Sequence, residues 1–285
     1  MTPPAGSTVG DLLEESTRRL AAAGVTDARR DAIALLAHAL GVDRGGVLAR
    51  RPDAVAQDVL AAARRLVVAR AERRPLQHLT GHVEFDGLAF EVGPSVLVPR
   101  PETEGLVEAV ASAGVPDDAR VADLGTGSAC IAIALAVRRP GWRLTAVDRS
   151  AEALEVARRN AARHGVALRV AFVLGGFEAA TAHGPFHAVV SNPPYVSEDE
   201  WRTLLPEVRD HEPKGALVPG PTGLEAYEAI GPLAASSLLP GGLLALELGW
   251  TSEAGVREIV GRAGFVDPRI LPDLAGIPRV LLARR

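Results

Sequence analysis

One cysteine, Cys130, stands in a chain of 285 residues, and one lysine, Lys214, stands among its 31 basic residues. A lone cysteine excludes an internal disulfide, and a cytoplasmic location is the expectation. The histidines His78, His82, His164 and His211 are scattered with no partner at ligand spacing, so no metal site is expected. No excess of positive charge is present: the net charge is −4, which argues against stable nucleic-acid binding. The arginines 64, 65, 70, 73 and 74 form a local basic cluster, read here as the solvated face of an amphipathic helix. No apolar run approaches the ~20 residues of a membrane helix, and Met1-Thr2-Pro3-Pro4-Ala5-Gly6 lacks the basic and apolar stretches of a secretory leader. No membrane association is expected, and a monomer is. The length suggests one sizeable domain with a smaller one.

What is present divides in the same way. Apolar residues recur at helical spacing over 9–23, with Gly24 as a stop. A second helix is predicted from an Asp27 N-cap to Gly41, a short third over 44–49, and a fourth over 55–73, which Pro75 terminates. Residues 1–76 therefore read as an all-helical domain. Residues 83–90 alternate on either side of Asp86-Gly87, the dipeptide of a tight hairpin turn, and 77–98 is read as a β-hairpin linker. Pro94, Pro99 and Pro101 then keep the chain extended up to a helix through Leu106, Val107 and Val110. Over 99–285, short apolar strands at 121–124, 144–147, 168–174, 188–190 and 243–248 alternate with helices, the pattern of an α/β domain with a parallel sheet. Runs at 265–271 and 279–283 lie too close together for a crossover and are predicted to pair antiparallel.

Two segments carry chemistry. Asp123-Leu124-Gly125-Thr126-Gly127-Ser128-Ala129 falls between the first of these strands and a helix, where glycines let the backbone turn and approach a ligand closely. Asp148 ends the next strand about twenty residues on, the spacing at which an acidic side chain reaches ribose hydroxyls; the alternative is a cap on the helix beginning near Ala151. A dinucleotide fingerprint would need a further glycine that the chain lacks. The fourth strand runs into Asn192-Pro193-Pro194-Tyr195, a stiff segment poor in N–H donors. A planar NH₂ group has a delocalised lone pair and is a poor nucleophile. The Asn192 side-chain oxygen and the Pro193 carbonyl can accept both of its N–H bonds and aim the nitrogen, while Tyr195 packs on the flat group. A rigid strand-to-loop turn is the alternative, but ligands of open α/β sheets bind at this end of the strands.

Asn192 to Tyr195 resembles the signature of the amino-methyltransferases, which use S-adenosylmethionine on adenine, guanine or glutamine amide nitrogens. More narrowly, the chain resembles the release-factor glutamine methyltransferases of the HemK/PrmC type. The similarity extends over Arg74-Pro75-Leu76-Gln77-His78-Leu79-Thr80-Gly81, the hairpin, Val96-Leu97-Val98-Pro99-Arg100-Pro101-Glu102-Thr103-Glu104, the glycine turn, Asp148 and His211-Glu212-Pro213. The resemblance implies a Rossmann-like class I methyltransferase with a mostly parallel seven-stranded sheet. It implies transfer of a methyl group to the glutamine N5 of the Gly-Gly-Gln loop of class I peptide-chain release factors, with S-adenosylhomocysteine as product, and docking of the release factor on the helical domain. It places the cofactor on Gly125, Thr126, Gly127, Ser128, Ala129, Asp148, Phe177 and Asn192, and the glutamine on Asn192, Pro193, Pro194 and Tyr195, with Asn192, Pro193 and Tyr195 in the catalytic role. For one of Glu102 and Glu104 it suggests a structural or cofactor-facing role.

The chain departs from the family at three points. Ala129 replaces a third glycine, Gly175-Gly176-Phe177 lacks an acidic residue near the adenine, and Gly276-Ile277-Pro278 replaces an aspartate before the last strand. Methyl transfer to RNA or DNA, and a non-catalytic cofactor-binding protein, remain the alternatives at this level.

Overall fold

A computed structural model describes residues 7–285; the opening six residues, read above for a leader, lie outside it. The described residues form two compact units, one of residues 7–81 with 205–211, the other of 82–204 with 212–285. The first contains α1 (Val9–Ala22), α2 (Ala28–Leu40), α3 (Arg44–Ala49), α4 (Gln57–Ala71) and α5 (Leu76–Thr80). Its core holds Leu12, Leu13, Leu20, Leu35, Leu36 and Val47. Thr8 and Asp11 form a reciprocal capping box on α1, and Gly41 ends α2 in the left-handed conformation. Asp27 stands at the N-cap position of α2 but its side chain accepts no capping bond. The predicted solvated arginine face holds for Arg64, Arg65 and Arg74, which are exposed, and is corrected at Arg70 and Arg73. Arg70 is buried and donates to Asp31 (2.7 Å) and to Glu207 (3.0 Å), Arg73 donates to Glu207, and Arg64 pairs with Glu15.

The second unit opens with the hairpin β1 (His82–Phe85) and β2 (Leu88–Glu91), turned at Asp86 (φ +54°) and Gly87 (φ +71°). Two positive φ angles match the right-handed strand twist, which explains the Asp-Gly pair. Glu104 accepts from the Asp86 amide at 2.9 Å, so this glutamate of the proline-rich run braces the turn. Phe85 and Phe90 are fully buried in the core of this unit, meeting edge to face at 6.0 Å.

The chain continues through α6 (Glu104–Ala111), β3 (Arg120–Leu124), α7 (Cys130–Arg138), β4 (Arg143–Asp148), α8 (Ala151–Arg163), β5 (Val170–Leu174), β6 (Phe186–Ser191) and α9 (Glu198–Thr203). A short α10 (Pro206–Arg209) belongs to the helical unit; α11 (Glu225–Ser237), β7 (Leu238–Glu247), α12 (Glu253–Arg262), β8 (Val266–Pro272) and β9 (Pro278–Arg284) complete the second. The seven strands run in the order β5-β4-β3-β6-β7-β9-β8, with β9 antiparallel to both of its neighbours and the other pairings parallel. Alternate residues face opposite cores: Val121, Ala188, Val190 and Leu243 on one side, Ala122, Leu124, Val189 and Leu244 on the other. Burial of both faces accounts for the nearly continuous apolar runs. Leu168 and Arg169, predicted to begin a strand, instead lie in a 3₁₀ turn over Ala167–Arg169, with Leu168 exposed. The strand order reverses between β3 and β6, which opens a crevice at their C-terminal ends.

Candidate active site

The glycine turn leaves β3 and is tied sideways to β4, with the amides of Gly125 and Thr126 both donating to the Val147 carbonyl at 2.9 Å. Gly125 (φ +72°) and Gly127 (φ +54°) occupy the left-handed region. A Cβ on Gly127 would point into open space, and one on Gly125 would touch the Phe177 ring. Backbone here is bare because of these two glycines. Ala129 is left-handed too (φ +62°), which costs roughly 1–2 kcal/mol in a non-glycine residue. Its methyl is buried in the core beneath the turn and is not part of the cavity wall, so it does not crowd the space above.

Asp148, at the end of β4, accepts from the Gly127 amide at 2.8 Å through one oxygen and from the Ser150 amide at 2.9 Å through the other. The helix that follows is capped by Ser150, which accepts from the Ala153 amide. Asp148 thus braces the glycine turn and borders the cavity, and the cap belongs to its neighbour. From the other side, Ser191 at the end of β6 donates to the Leu124 carbonyl at 2.6 Å, which sets the residues after β6 against the end of β3.

These elements enclose a cavity of about 400 Å³, in the range of small-molecule sites. Gly125, Gly127, Asp148, Phe177, Asn192 and Pro194 line it, so six of the residues singled out in the sequence meet at one surface. Thr126, Ser128 and Ala129 are buried behind the turn: Thr126 donates to Asp123 (2.6 Å) and the Ser128 carbonyl accepts from Asn160. Pro193 is buried. Tyr195 turns inward, its hydroxyl donating to Glu247 at 3.3 Å and its ring against the Cα of Gly249, where a Cβ would come within 3.0 Å.

Several contributors were not legible in the sequence. Glu178 and Glu225 both border the cavity. The Glu178 carboxylate lies where a side chain on residue 176 would begin, so Gly176 leaves room for it. The absent acid of the Gly175-Gly176-Phe177 segment thus has a carboxylate neighbour two residues on. Glu225 accepts from the Thr222 amide and hydroxyl, while its other oxygen is buried with no hydrogen-bond partner. Thr103 and Glu247 lie behind Asn192. Asn192 donates to the Thr103 hydroxyl (3.2 Å), which donates to Glu247 (2.6 Å). Burial pushes the Glu247 carboxyl up to about 7 and the Tyr195 phenol well above its usual value, and it raises Asp123 to about 7. Cys130, also buried, is pushed up to about 12 and is no nucleophile.

The site's chemistry is one bare glycine turn, one strand-end carboxylate, one aromatic ring and one amide oriented over a cavity. Residues 11–81 match the PrmC N-terminal domain and residues 101–211 the methyltransferase small domain. The release factor glutamine methyltransferase of Mycolicibacterium smegmatis is 45% identical over 275 residues, covering 96% of each chain. That of Cereibacter sphaeroides is 43% identical over 274 residues, 96% of this chain and 97% of the relative. Among solved structures, a methyltransferase from Pyrococcus furiosus aligns over 70% of this chain and 89% of its own, with a TM-score of 0.53 and 21% identity, a likeness of fold alone. With relatives this similar along nearly the whole length, the chain belongs to the release factor glutamine methyltransferase family.

Proposed function

We propose that this protein transfers a methyl group from S-adenosylmethionine to the N5 nitrogen of the glutamine in the Gly-Gly-Gln loop of class I peptide-chain release factors. The observation that carries the reading is that Asn192 and the glycine turn border the same cavity, so acceptor and donor sites adjoin. The residues present fit the cofactor. The space above Gly127 that a Cβ would fill accepts close approach of its methionine end, and Asp148 and Phe177, which line the same cavity, would hold the ribose and the adenine. Glu178 supplies the acceptor for the adenine amino group. When bound, the cofactor supplies an electrophilic methyl group on a sulfonium.

The protein's own part is orientation. Asn192 Oδ1 and the Pro193 carbonyl accept the two N–H bonds of the glutamine amide and hold its nitrogen toward the methyl group. Each grows stronger as positive charge develops on the nitrogen, so both stabilise the transition state more than the ground state. The stiffness of Pro193-Pro194 keeps the carbonyl in place without relaxation. The helical unit docks the release factor.

The test is label transfer. The protein is incubated with methyl-labelled cofactor and, separately, a class I release factor, RNA and DNA. Label in the release factor is expected; label in nucleic acid alone would replace this reading with the nucleobase one.

A further inference from the structure

We propose that Thr103 and Glu247 are positioning residues that fix the side-chain amide of Asn192 with its oxygen, and not its NH₂, toward the cavity. This rests on the function proposed above for the role of that oxygen, but the orientation itself is a property of the protein alone.

An asparagine amide has two orientations of nearly equal shape, related by a half turn, and only one presents an acceptor to an incoming N–H. A threonine hydroxyl does not choose between them, because it can donate to the oxygen or accept from the NH₂. The choice is forced by what takes its single hydrogen. Thr103 is 2% exposed, and its hydroxyl donates to Glu247 Oε2 at 2.6 Å; above about pH 7, where Glu247 is ionised, that carboxylate has only acceptor capacity. With that hydrogen committed, Thr103 can only accept. The atom of Asn192 facing it at 3.2 Å must therefore be the NH₂ donor. The amide oxygen is left on the other side.

The carboxylate is itself held from several sides. Glu247 is 1% exposed at the end of β7; its Oε1 accepts from Tyr195, and its backbone carbonyl accepts from the buried Tyr227 hydroxyl at 2.8 Å. The strand end cannot slide without breaking that bond. Thr103 comes from the proline-rich run before α6, so residues 103, 192 and 247, far apart in sequence, form one proton-ordered chain. A buried carboxylate is costly unless hydrogen-bonded, and placing one behind an uncharged asparagine serves polarity more than stability.

The chain contains only two asparagines, Asn160 and Asn192. Selective ¹⁵N-asparagine labelling of the full protein therefore gives two side-chain amide pairs, assigned by loss of one in Asn192→Asp. Asn160 donates to the Glu91 and Ser128 carbonyls and serves as the fold control. In the cofactor-free protein at about pH 8, where Glu247 is ionised, the Asn192 NH₂ protons are expected to be protected from exchange in wild type and in Thr103→Ser. They are expected to lose protection in the near-isosteric Thr103→Val, with the Asn160 pair unmoved. In methyl transfer to a release factor, Thr103→Val should lower kcat by roughly 100-fold, the scale of a small misplacement, with KM and cofactor affinity within about threefold, and Thr103→Ser should restore it. Undiminished protection in Thr103→Val would overturn the proposal whatever the substrate proves to be, as would loss of kcat and cofactor affinity together. Should Thr103→Val fail to fold, Glu247→Gln takes its place in the exchange measurement, with the same expectation of faster Asn192 exchange. A wild-type protein with a protected Asn192 but no transfer to release factors would instead sink the function and leave the orientation standing.

Discussion

On the proposed reading Asn192 works by what it accepts, so its removal should separate binding from chemistry. Asn192→Ala is expected to bind S-adenosylmethionine within about threefold of wild type by calorimetry while methyl transfer falls by more than about 100-fold; parallel loss of both would show the side chain to be part of the cofactor's own pocket. Glu178 acts in the opposite sense. Glu178→Ala should weaken cofactor affinity about ten- to a hundredfold, the worth of one hydrogen bond to a charged group, with kcat at saturating cofactor unchanged; unaltered affinity would return the adenine to Phe177 alone. Glu247 titrates in a useful window. Its folded pKa is raised by burial to about 7 from an ordinary value of 4.5. The stability its neutral form contributes is therefore complete below about pH 4.5 and is lost as pH rises through about 7. Glu247→Gln does not titrate, so its stability relative to wild type should improve by on the order of 1–3 kcal/mol between pH 4.5 and pH 8. Urea midpoints at the two pH values measure this, and a constant difference would show that the carboxylate is ionised as easily folded as unfolded.

Elements were legible where their signal is local. The glycine turn, the Asp-Gly hairpin and the strands around Val121, Leu144 and Leu243 were readable because glycine, proline and apolar periodicity act within a few residues. The placement of Asn192 beside the turn followed from strand alternation, since the crevice of an open sheet lies where the strand order reverses. Glu247 was invisible for the opposite reason. It sits in the apolar run of β7 as a single charge, and its partners Thr103 and Tyr195 lie 144 and 52 residues away. Nothing in the run itself distinguishes a buried acid with partners from an exposed one. The role of Glu104 was left open in the sequence, because its partner is a backbone amide 18 residues back. The hairpin provides a test at this scale. Phe90 is wholly buried against Phe85 and His164, so Phe90→Ala should cost about 3–5 kcal/mol of unfolding free energy, read from denaturant titration. A cost below about 1 kcal/mol would mean the hairpin is an appendage.

At the scale of the molecule, two compact units emerge whose composition no linear division of the sequence displays. Residues 205–211 lie far along the chain yet belong to the helical unit, where Glu207 receives Arg70 and Arg73. Positive charge that looked free in the sequence is committed inside this unit, and the whole chain carries a net charge of −4. That balance suits a protein substrate better than a polyphosphate one. Among the described residues, no helix is long and apolar enough to cross a membrane. The central claim, a glutamine amide held by Asn192 beside a bound methyl donor, is tested most directly by mass spectrometry of the Gly-Gly-Gln peptide. The peptide is to be cut from a class I release factor after incubation with this protein and S-adenosylmethionine. The account predicts the mass of one added methyl group, localised by fragmentation to that glutamine and absent with Asn192→Ala. An unmodified glutamine in the presence of bound cofactor, or a methyl group on any other residue, would contradict it.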